Sequence, residues 1–396
     1  MKERAMLMIP GPTEISWRVI QAMMVPSIGP ADPDFNVGVL EAACGRIKQI
    51  LETENEVLVI PGSGRAAIDA TIVSLIEPGD AVIAIRAGLF GDMVRDATER
   101  VGGTAVALDV EWGKAVDLAA LESAITRSKA KAVSIVHNET STGTLYPLAE
   151  VGAIARKHGC LFLVDTVSSL GGIRIANDAV DCDVNMSAPQ KCLAAPMGCG
   201  IVSVSPRAFE AMERRTKKAA SFTLDLLRWK QVWIPKERGG DLTTGHRRQP
   251  VGMPIHLVYG LAEATKVVLE EGLDARFRRH RVAGEAMRAA VRAMGLETFG
   301  EESMASPTVT CVKLPSGMAS AALAGAVRAH SRIGISAGLD KLRETTVRIG
   351  HMGITASPSF LLPTIAAMEA GLQGLGFPAP RGKALEAAEA VFAGKG

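Results

Sequence analysis

Lys191 lies in an unusual setting for a charged residue. The stretch SAPQKCLAAPMG (residues 187–198) has no acidic side chain, and small or apolar residues follow the lysine. Apolar surroundings disfavour the ammonium form, so they lower the pKa of a lysine and free its amine to attack an aldehyde. The lysine and its neighbours therefore indicate a nucleophilic amine.

Asp165 closes an apolar run, LFLVD (residues 161–165), upstream of this lysine. A carboxylate at the end of a buried strand is partly desolvated and needs a cation or a strong hydrogen-bond donor. Two interpretations remain open at this point. Asp165 is either a structural aspartate that caps a turn or a carboxylate that binds a protonated ring nitrogen.

Three further segments contain groups suited to a ligand. PGSGRAAID (residues 61–69) combines a glycine-rich turn with a helix start, which suits a phosphate, although a plain tight turn explains it equally well. It lacks the Walker lysine and the full GxGxxG pattern. Phe90 lies between glycines and either covers a flat ring or packs in the core. HNETSTGT (residues 137–144) offers hydroxyl and amide groups to a polar heterocycle.

Short β-branched runs alternate with helical patterns over residues 56–206. This alternation predicts a mostly parallel sheet covered by helices, an α/β fold. Ligands of such sheets lie beyond the carboxyl ends of the strands, where all four segments and Lys191 fall. A phosphate turn, a ring-stacking aromatic, a ring-nitrogen partner and a Schiff-base lysine together predict a site for pyridoxal phosphate.

Length and composition set the broader class. The 396 residues exceed most single cores and predict two domains. A net charge of +2 gives no sign of nucleic acid, and the basic stretch at residues 212–220 is interpreted as a solvated helix face. The six cysteines have no metal-ligand spacing, so no metal is expected. No apolar stretch is long enough for a membrane span or signal peptide, and we expect a cytoplasmic protein.

Six motifs together resemble the class V aminotransferases of fold type I, the group of alanine–glyoxylate, serine–glyoxylate and serine–pyruvate aminotransferases. The resemblance runs nearly end to end. It is carried by PGPT (residues 10–13), PGSGRAAID, HNETSTGT, VDTVSSLGG (residues 164–172), APQKCLAAPMG (residues 188–198) and RIGHMG (residues 348–353). It implies a seven-stranded, mostly parallel sheet in a large domain and a smaller C-terminal α+β domain. We predict an N-terminal segment at 1–20, packing on the small domain and a partner subunit, a cofactor-binding domain at 21–260 and a small domain at 261–396.

The resemblance also implies roles for individual residues. Lys191 would bind the aldehyde of pyridoxal phosphate and move protons, and Asp165 would pair with the ring nitrogen. Arg348 would bind the substrate carboxylate through its two-pronged guanidinium, close to Gly11. The other cofactor contacts implied are the phosphate-binding residues Ser63, Gly64, Arg65 and Gln190, the stacking ring of Phe90, Thr140, and Val167 on the other ring face.

One segment departs from the family pattern. Relatives place a Tyr and a Thr before the helix that contains YGL, where they reach the phosphate of the partner subunit; Gln249 and Gly252 occupy these places here. Arg247 and Arg248 either supply the missing charge or belong to a solvated loop. The resemblance further implies a homodimer, because such sites borrow partner residues.

The predicted reaction is transamination from a small donor, such as alanine or serine, to glyoxylate or pyruvate. Two alternatives share the chemistry: ureidoglycine–glyoxylate aminotransferase, which PGSGRAAID favours, and pyridoxamine–pyruvate aminotransferase, which RIGHMG favours. Cysteine desulfuration is disfavoured because Phe90 occupies the stacking position and Cys311 lies in an apolar strand pattern. A non-enzymatic module is disfavoured because Lys191, Asp165 and Arg348 are all present.

Overall fold

The computed structural model describes residues 5–29, 32–233 and 248–395. The helices are α1 (Trp17–Ala22), α2 (Ala42–Leu51), α3 (Gly64–Leu75), α4 (Gly91–Arg100), α5 (Leu118–Ser128), α6 (Leu148–Lys157), α7 (Pro206–Glu213), α8 (Leu226–Trp233), α9 (Ile255–Glu271), α10 (Leu273–Ala293), α11 (Ser320–Ser331), α12 (Pro358–Gly374) and α13 (Lys383–Lys395). The strands are β1 (Met6–Leu7), β2 (Glu56–Pro61), β3 (Ala81–Arg86), β4 (Thr104–Asp109), β5 (Ala132–Val136), β6 (Asn138–Glu139), β7 (Thr144–Leu145), β8 (Leu161–Asp165), β9 (Val184–Ser187), β10 (Cys199–Val204), β11 (Glu297–Thr298), β12 (Val309–Lys313), β13 (Ile333–Gly334), β14 (Ser336–Ala337) and β15 (Thr346–Gly350).

The central sheet has seven strands within the described residues, in the order β2-β10-β9-β8-β5-β3-β4. Strand β10 runs antiparallel to both of its neighbours, and the other pairs are parallel. Every residue of β5, β8, β9 and β10 is buried, as expected for strands covered by helices on both faces. The predicted mostly parallel seven-stranded sheet is confirmed.

The carboxyl ends of the parallel strands bring the predicted polar groups to one edge. Asp165 is the last residue of β8, and it pairs in register with Val136 at the end of β5 and with Met186 near the end of β9. Lys191 follows β9 by four residues, so the loop after β9 begins beside Asp165. The fold therefore places the carboxylate and the lysine on the same edge of the sheet.

A second sheet, in the order β11-β12-β15-β14, is antiparallel and contains Arg348 on β15. Its core is separate from that of the large sheet and contains residues of α10, α11, α12 and α13. The N-terminal segment joins this second unit, because β1 pairs with β13 and Met8 is fully buried in the second core. The observed smaller unit is α+β, as predicted.

The two hydrophobic cores meet along helices α9 and α10. Leu261 and Val268 of α9 pack in the first core, although the predicted boundary at residue 260 assigns them to the second domain. Apart from Met8 of the N-terminal segment, the first buried residue of the second core along the chain is Ala283 of α10. We therefore propose that the division between the domains lies between Val268 and Ala283. Among the described residues, no helix is sufficiently long and apolar to span a membrane.

Candidate active site

A cavity of about 250 Å³ opens at the carboxyl edge of the large sheet. The structure brings most of the predicted site residues to its wall. They are Gly11, Ser63, Gly64, Arg65, Phe90, Asp165, Val167, Gln190 and Lys191. Thr140 and Arg348 are not part of this wall.

Lys191 lies on the cavity wall, and its Nζ atom donates a hydrogen bond to the carbonyl of Pro10. The pKa of the Lys191 amine falls to about 8, mainly because the amine is buried; the charge of Arg348 acts in the same direction, while Cys192, Asp165 and Glu139 oppose the shift. Gly11 has a φ of +96°, and a Cβ atom there would lie 2.3 Å from Cδ of Lys191. The PGPT turn therefore passes over the lysine only because residue 11 has no side chain.

The lowered pKa predicts how cofactor attachment depends on pH. Only the free amine attacks an aldehyde, so the attachment rate of pyridoxal phosphate should rise with pH through a midpoint near pH 8 and then level off. Stopped-flow absorbance of the protein stripped of cofactor measures this rate. An exposed lysine titrates near pH 10.4, so a rate that still rises at pH 10 would contradict the assignment of a buried, neutralised Lys191.

Asp165 is a buried carboxylate that accepts a hydrogen bond from the backbone N–H of Val167, at 2.8 Å. No ion pair to Asp165 occurs within the part of the chain that the structure describes. Burial raises the pKa of Asp165 to about 7, and Glu139 raises it while Lys191 lowers it. A buried carboxylate without a cation suits a protonated ring nitrogen, which supplies both the charge and the hydrogen bond.

The predicted phosphate turn joins β2 to α3. Ser63 precedes the helix, which begins at Gly64 and is 12 residues long, so the free N–H groups of its first turn open on the cavity. A Cβ atom at Gly64 would lie 2.8 Å from Cγ2 of Val167, which explains the glycine. The Oε1 atom of Gln190 is buried and has no hydrogen-bond partner among the described residues. An unsatisfied amide beside a helix N-terminus fits a ligand with a phosphate group.

Phe90 is held in place by Glu139 of the HNETSTGT loop, a residue with no role predicted from the sequence. Its backbone N–H donates to Oε2 of Glu139 at 3.1 Å, and the second oxygen of Glu139 accepts from Ser141 N at 2.9 Å and Ser141 Oγ at 2.6 Å. Glu139 is 1% exposed, and burial raises its pKa. A Cβ atom at Gly88 would lie 2.2 Å from Cγ of Glu139. Glu139 therefore fixes the backbone from which the Phe90 ring projects.

Asn138 lines the cavity where Thr140 was predicted to do so. Its Nδ2 atom donates to Ser168 O at 3.0 Å and to Thr308 Oγ1 at 2.8 Å, while Oδ1 has no partner in the described ranges. Thr140 is 2% exposed, and its carbonyl accepts from Nη1 of Arg348 at 3.2 Å. In the HNETSTGT loop, Asn138 thus reaches the cavity and the backbone of Thr140 reaches the arginine.

Arg348 is 7% exposed. Its Nε atom donates to Ala337 O at 3.0 Å, in addition to the bond from Nη1 to Thr140. Burial lowers the pKa of Arg348, while Cys311 and Glu139 raise it. The backbone contacts orient the guanidinium, and arginine remains charged in proteins.

The segment that departs from the family pattern is described only from Arg248 onward, and Arg247 lies outside the described residues. Gln249 donates from Nε2 to Oδ1 of Asn36. The described ranges contain no group of three or more His, Cys, Asp or Glu residues that could hold a metal ion. The groups at the cavity fit pyridoxal phosphate: a helix start and the open Gln190 amide for the phosphate, Phe90 for the ring, Asp165 for the ring nitrogen and Lys191 for the aldehyde.

Comparisons with known proteins agree with this geometry. The sequence model of the family Aminotransferase class-V matches residues 38–354. The chain is 37% identical to an uncharacterized aminotransferase of Methanocaldococcus jannaschii, over 94% of each chain. It is 32% identical to the ureidoglycine–glyoxylate aminotransferase of Bacillus subtilis, whose crystal structure superimposes with a TM-score of 0.92 over 99% of each chain. The crystal structure of pyridoxamine–pyruvate aminotransferase from Mesorhizobium loti superimposes with a TM-score of 0.91 at 28% identity, over 100% of this chain and 98% of that one.

Proposed function

The chain belongs to the class-V aminotransferases, and on that basis we propose that it moves an amino group from a small amino donor, such as alanine or serine, to glyoxylate or pyruvate. Its cofactor is pyridoxal phosphate. The proposal rests on one observation: the same cavity is lined by two groups whose chemistry suits the cofactor. They are Asp165, a buried carboxylate that forms no ion pair with any residue that the structure describes, and Lys191, an amine whose pKa falls to about 8.

When bound, pyridoxal phosphate withdraws electrons from the α-carbon of the amino donor. Lys191 is the group placed to take the α-proton at Nζ and return it, because its amine is partly neutral near pH 8. Asp165 would hold the ring nitrogen in its protonated form, and Phe90 and Val167 would contact the ring. The start of α3 (Ser63, Gly64 and Arg65) and Gln190 would bind the phosphate.

Arg348 and Gly11 select the carboxylate shared by the donor and the acceptor. Arg348 presents a guanidinium that two backbone carbonyls orient, which suits a bidentate contact with a small 2-oxo acid. Thr140 contributes through the carbonyl that receives Arg348 and not through the cavity wall. Gly11 leaves space beside Lys191.

Two relatives of this chain use different substrates, and both remain alternatives to the alanine or serine donor. A ureidoglycine donor would retain glyoxylate as acceptor. Pyridoxamine with pyruvate would make the vitamer a free substrate, and then the phosphate turn at Gly64 would have no phosphate to bind. The 12-residue helix that starts in the cavity and the open Gln190 amide favour the phosphorylated cofactor.

Cysteine desulfuration requires a reactive thiol near the substrate. All six cysteines are buried. Burial raises the pKa of Cys192 and of Cys311 to about 11, so neither thiol is ionised near neutral pH. Transamination is therefore the reaction that the site supports best.

A spectral titration tests the proposal. Protein loaded with pyridoxal phosphate is mixed with alanine, serine, ureidoglycine or cysteine, and absorbance follows conversion of the cofactor to its pyridoxamine form. Glyoxylate or pyruvate is then added to reverse the change. Conversion by a small donor with reversal by a 2-oxo acid is expected. Sulfide release from cysteine, or pyridoxamine consumption with pyruvate alone, would contradict the proposed donor class.

We also propose a cytoplasmic homodimer. The six cysteines are buried thiols, which fits a reducing compartment. Helix α1 and the end of the lysine segment both adjoin Gly260 of α9, and the exposed apolar side chains there include Trp17 at 64%, Met24 at 72% and Met197 at 49%. These exposed apolar side chains, of which Met197 lines the cavity, make a surface patch that is suited to a second copy of the chain.

Replacing Trp17 with Glu should weaken the dimer, because it places a charge in this patch. Light scattering after size exclusion should give twice 41.6 kDa for the natural protein and a shift toward 41.6 kDa for the variant. Phe222→Glu is the matched control, because Phe222 is also exposed (66%) but its ring is covered by the Arg228 guanidinium, 4.1 Å from the centroid. A natural mass of 41.6 kDa would contradict the dimer.

A further inference from the structure

Four side chains of helices α9 and α10 join the lysine segment to the turn that follows the Arg348 strand. They are Glu271, Arg276, Arg279 and His280, which we call the α10 clasp. Arg279 and His280 follow Arg276 by three and four residues on α10, so these three side chains share one helix face. Their partners are backbone groups of two distant loops, and no role in the chemistry described above uses them.

Arg276 contacts the lysine segment. It is 2% exposed, and its Nη2 atom donates to the carbonyl of Cys192 at 2.5 Å while Nε donates to Gly171 O at 2.6 Å. Cys192 is fully buried and directly follows Lys191. A buried carbonyl that loses its donor is costly, so Arg276 constrains the backbone beside the lysine.

Arg279 and His280 contact the turn after β15. The Nη1 atom of Arg279 donates to Gly353 O at 2.8 Å and to Ala356 O at 2.9 Å. The N–H of Gly353 donates to Nε2 of His280 at 3.0 Å, and Nδ1 of His280 lies 2.8 Å from the carbonyl of Arg276. Burial lowers the pKa of His280 well below its usual range, so the ring is neutral and its Nδ1 is the donor.

Glu271 connects the two halves of the clasp. Its Oε2 atom lies 2.6 Å from Nη1 of Arg276, and its Oε1 atom lies 2.6 Å from Nε of Arg279. The two loops also touch directly, because a Cβ atom at Gly353 would lie 2.7 Å from Cβ of Ala194. The Glu271 carboxylate therefore pairs with two guanidinium groups, one of which binds the lysine segment and the other the turn after β15.

We propose that the α10 clasp fixes the position of Lys191 relative to Arg348, and that Arg276, Arg279 and Glu271 are positioning residues of the transamination site. This inference rests on the proposed function for the roles of Lys191 and Arg348. The chemistry needs the lysine amine and the substrate-binding guanidinium at a set separation, and a displacement of about 1 Å costs on the order of 100-fold in rate. The clasp supplies that constraint from a rigid helix.

The two arginines have separable effects. Arg276→Gln frees the Cys192 carbonyl, so water reaches Lys191 more easily and the pH midpoint for cofactor attachment moves upward from about 8. Its turnover number falls by about tenfold with little change in KM, since the lysine acts on the chemical step. Arg279→Gln loosens the turn after Arg348, so KM for the oxo acid rises by about fivefold with a smaller change in kcat.

Hydrogen exchange of the protein without cofactor tests the clasp independently of activity. Arg276→Gln should raise exchange about tenfold at the amides of Ala194 and Ala195, which bond within the lysine segment, and Glu271→Gln should raise exchange both there and at Gly353. Arg288→Gln is the matched control. Arg288 lies on the same helix and is 9% exposed, and its side chain donates hydrogen bonds to Glu302 at 3.0 Å and to the carbonyl of Ser306 at 3.3 Å.

Arg276→Lys, which keeps the charge, provides the same comparison if the glutamine variant does not fold. The proposal is overturned if either Arg276 variant raises exchange in residues 189–195 no more than the control does, or leaves the pH midpoint unchanged. A natural protein that forms no visible band with pyridoxal phosphate would refute the proposed function. In that case the exchange pattern alone would still decide whether the clasp constrains the two loops.

Discussion

Replacing Lys191 with alanine abolishes cofactor attachment and reduces transamination by on the order of 10⁴-fold. Lys191 is the lysine on the wall of the cavity, and its pKa of about 8 makes the amine available both to bind the aldehyde and to carry the α-proton. Absorbance after loading with pyridoxal phosphate should show no lysine-bound band. Single-turnover kinetics with the preferred donor should measure the remaining proton transfer.

Two comparisons make the Lys191 result specific. Lys157→Ala removes a surface lysine of α6 that pairs with Glu122 at 2.5 Å, and it should leave both the band and the turnover unchanged. Lys191→Arg keeps a cation but cannot form the bond to the aldehyde, so it should behave as the alanine variant does. An alanine variant that retains a tenth of the natural turnover would remove Lys191 from the mechanism.

Replacing Asp165 with asparagine reduces turnover by on the order of 100-fold while the protein stays folded. The buried carboxylate is the negative group at the cavity wall that can keep a ring nitrogen protonated, and a hydrogen bond to a charged group is worth about 1.5–3 kcal/mol. An amide offers no charge, so the electron-withdrawing power of the ring falls. Steady-state kinetics at saturating cofactor measure the effect.

Asp183 provides the matched control for this substitution. It is 3% exposed, lies just before β9 and accepts hydrogen bonds from Phe162 N and from the side chains of Ser205 and Arg207, each at 2.9 Å. Its bonds are structural, so Asp183→Asn should lower the melting temperature and leave kcat nearly unchanged. If Asp165→Asn instead lowers stability and spares kcat, Asp165 is the structural aspartate that the sequence also allowed.

The large sheet, and most of the site residues at its carboxyl edge, could be predicted because each strand is marked by its own run of apolar residues. The run LFLV before Asp165 is wholly apolar, and such a strand is buried on both faces, which locates its last residue at the carboxyl edge. The glycine turn at Gly64 and the aromatic Phe90 follow strands in the same way. The local hydrophobic pattern and the chain direction were sufficient to predict that these groups share one cavity.

Other features depend on contacts between distant segments, which no local pattern encodes. The HNETSTGT loop was expected to reach the ring through Thr140, but the chain direction there turns Asn138 to the cavity and buries Glu139 beneath Phe90. Arg276 and His280 lie in a stretch rich in arginine that resembles a solvated helix face, yet they are 2% and 0% exposed. Their partners are backbone carbonyls and N–H groups, which every residue has and no sequence motif marks.

Chemical mapping of the lysine that binds the cofactor tests the assignment of the active site most directly. Protein loaded with pyridoxal phosphate is reduced with borohydride, digested and analysed by mass spectrometry. We expect the cofactor mass on the peptide that contains Lys191, with loss of the visible band. Cofactor on another lysine, or on none, would contradict the assignment of this cavity as an aminotransferase active site.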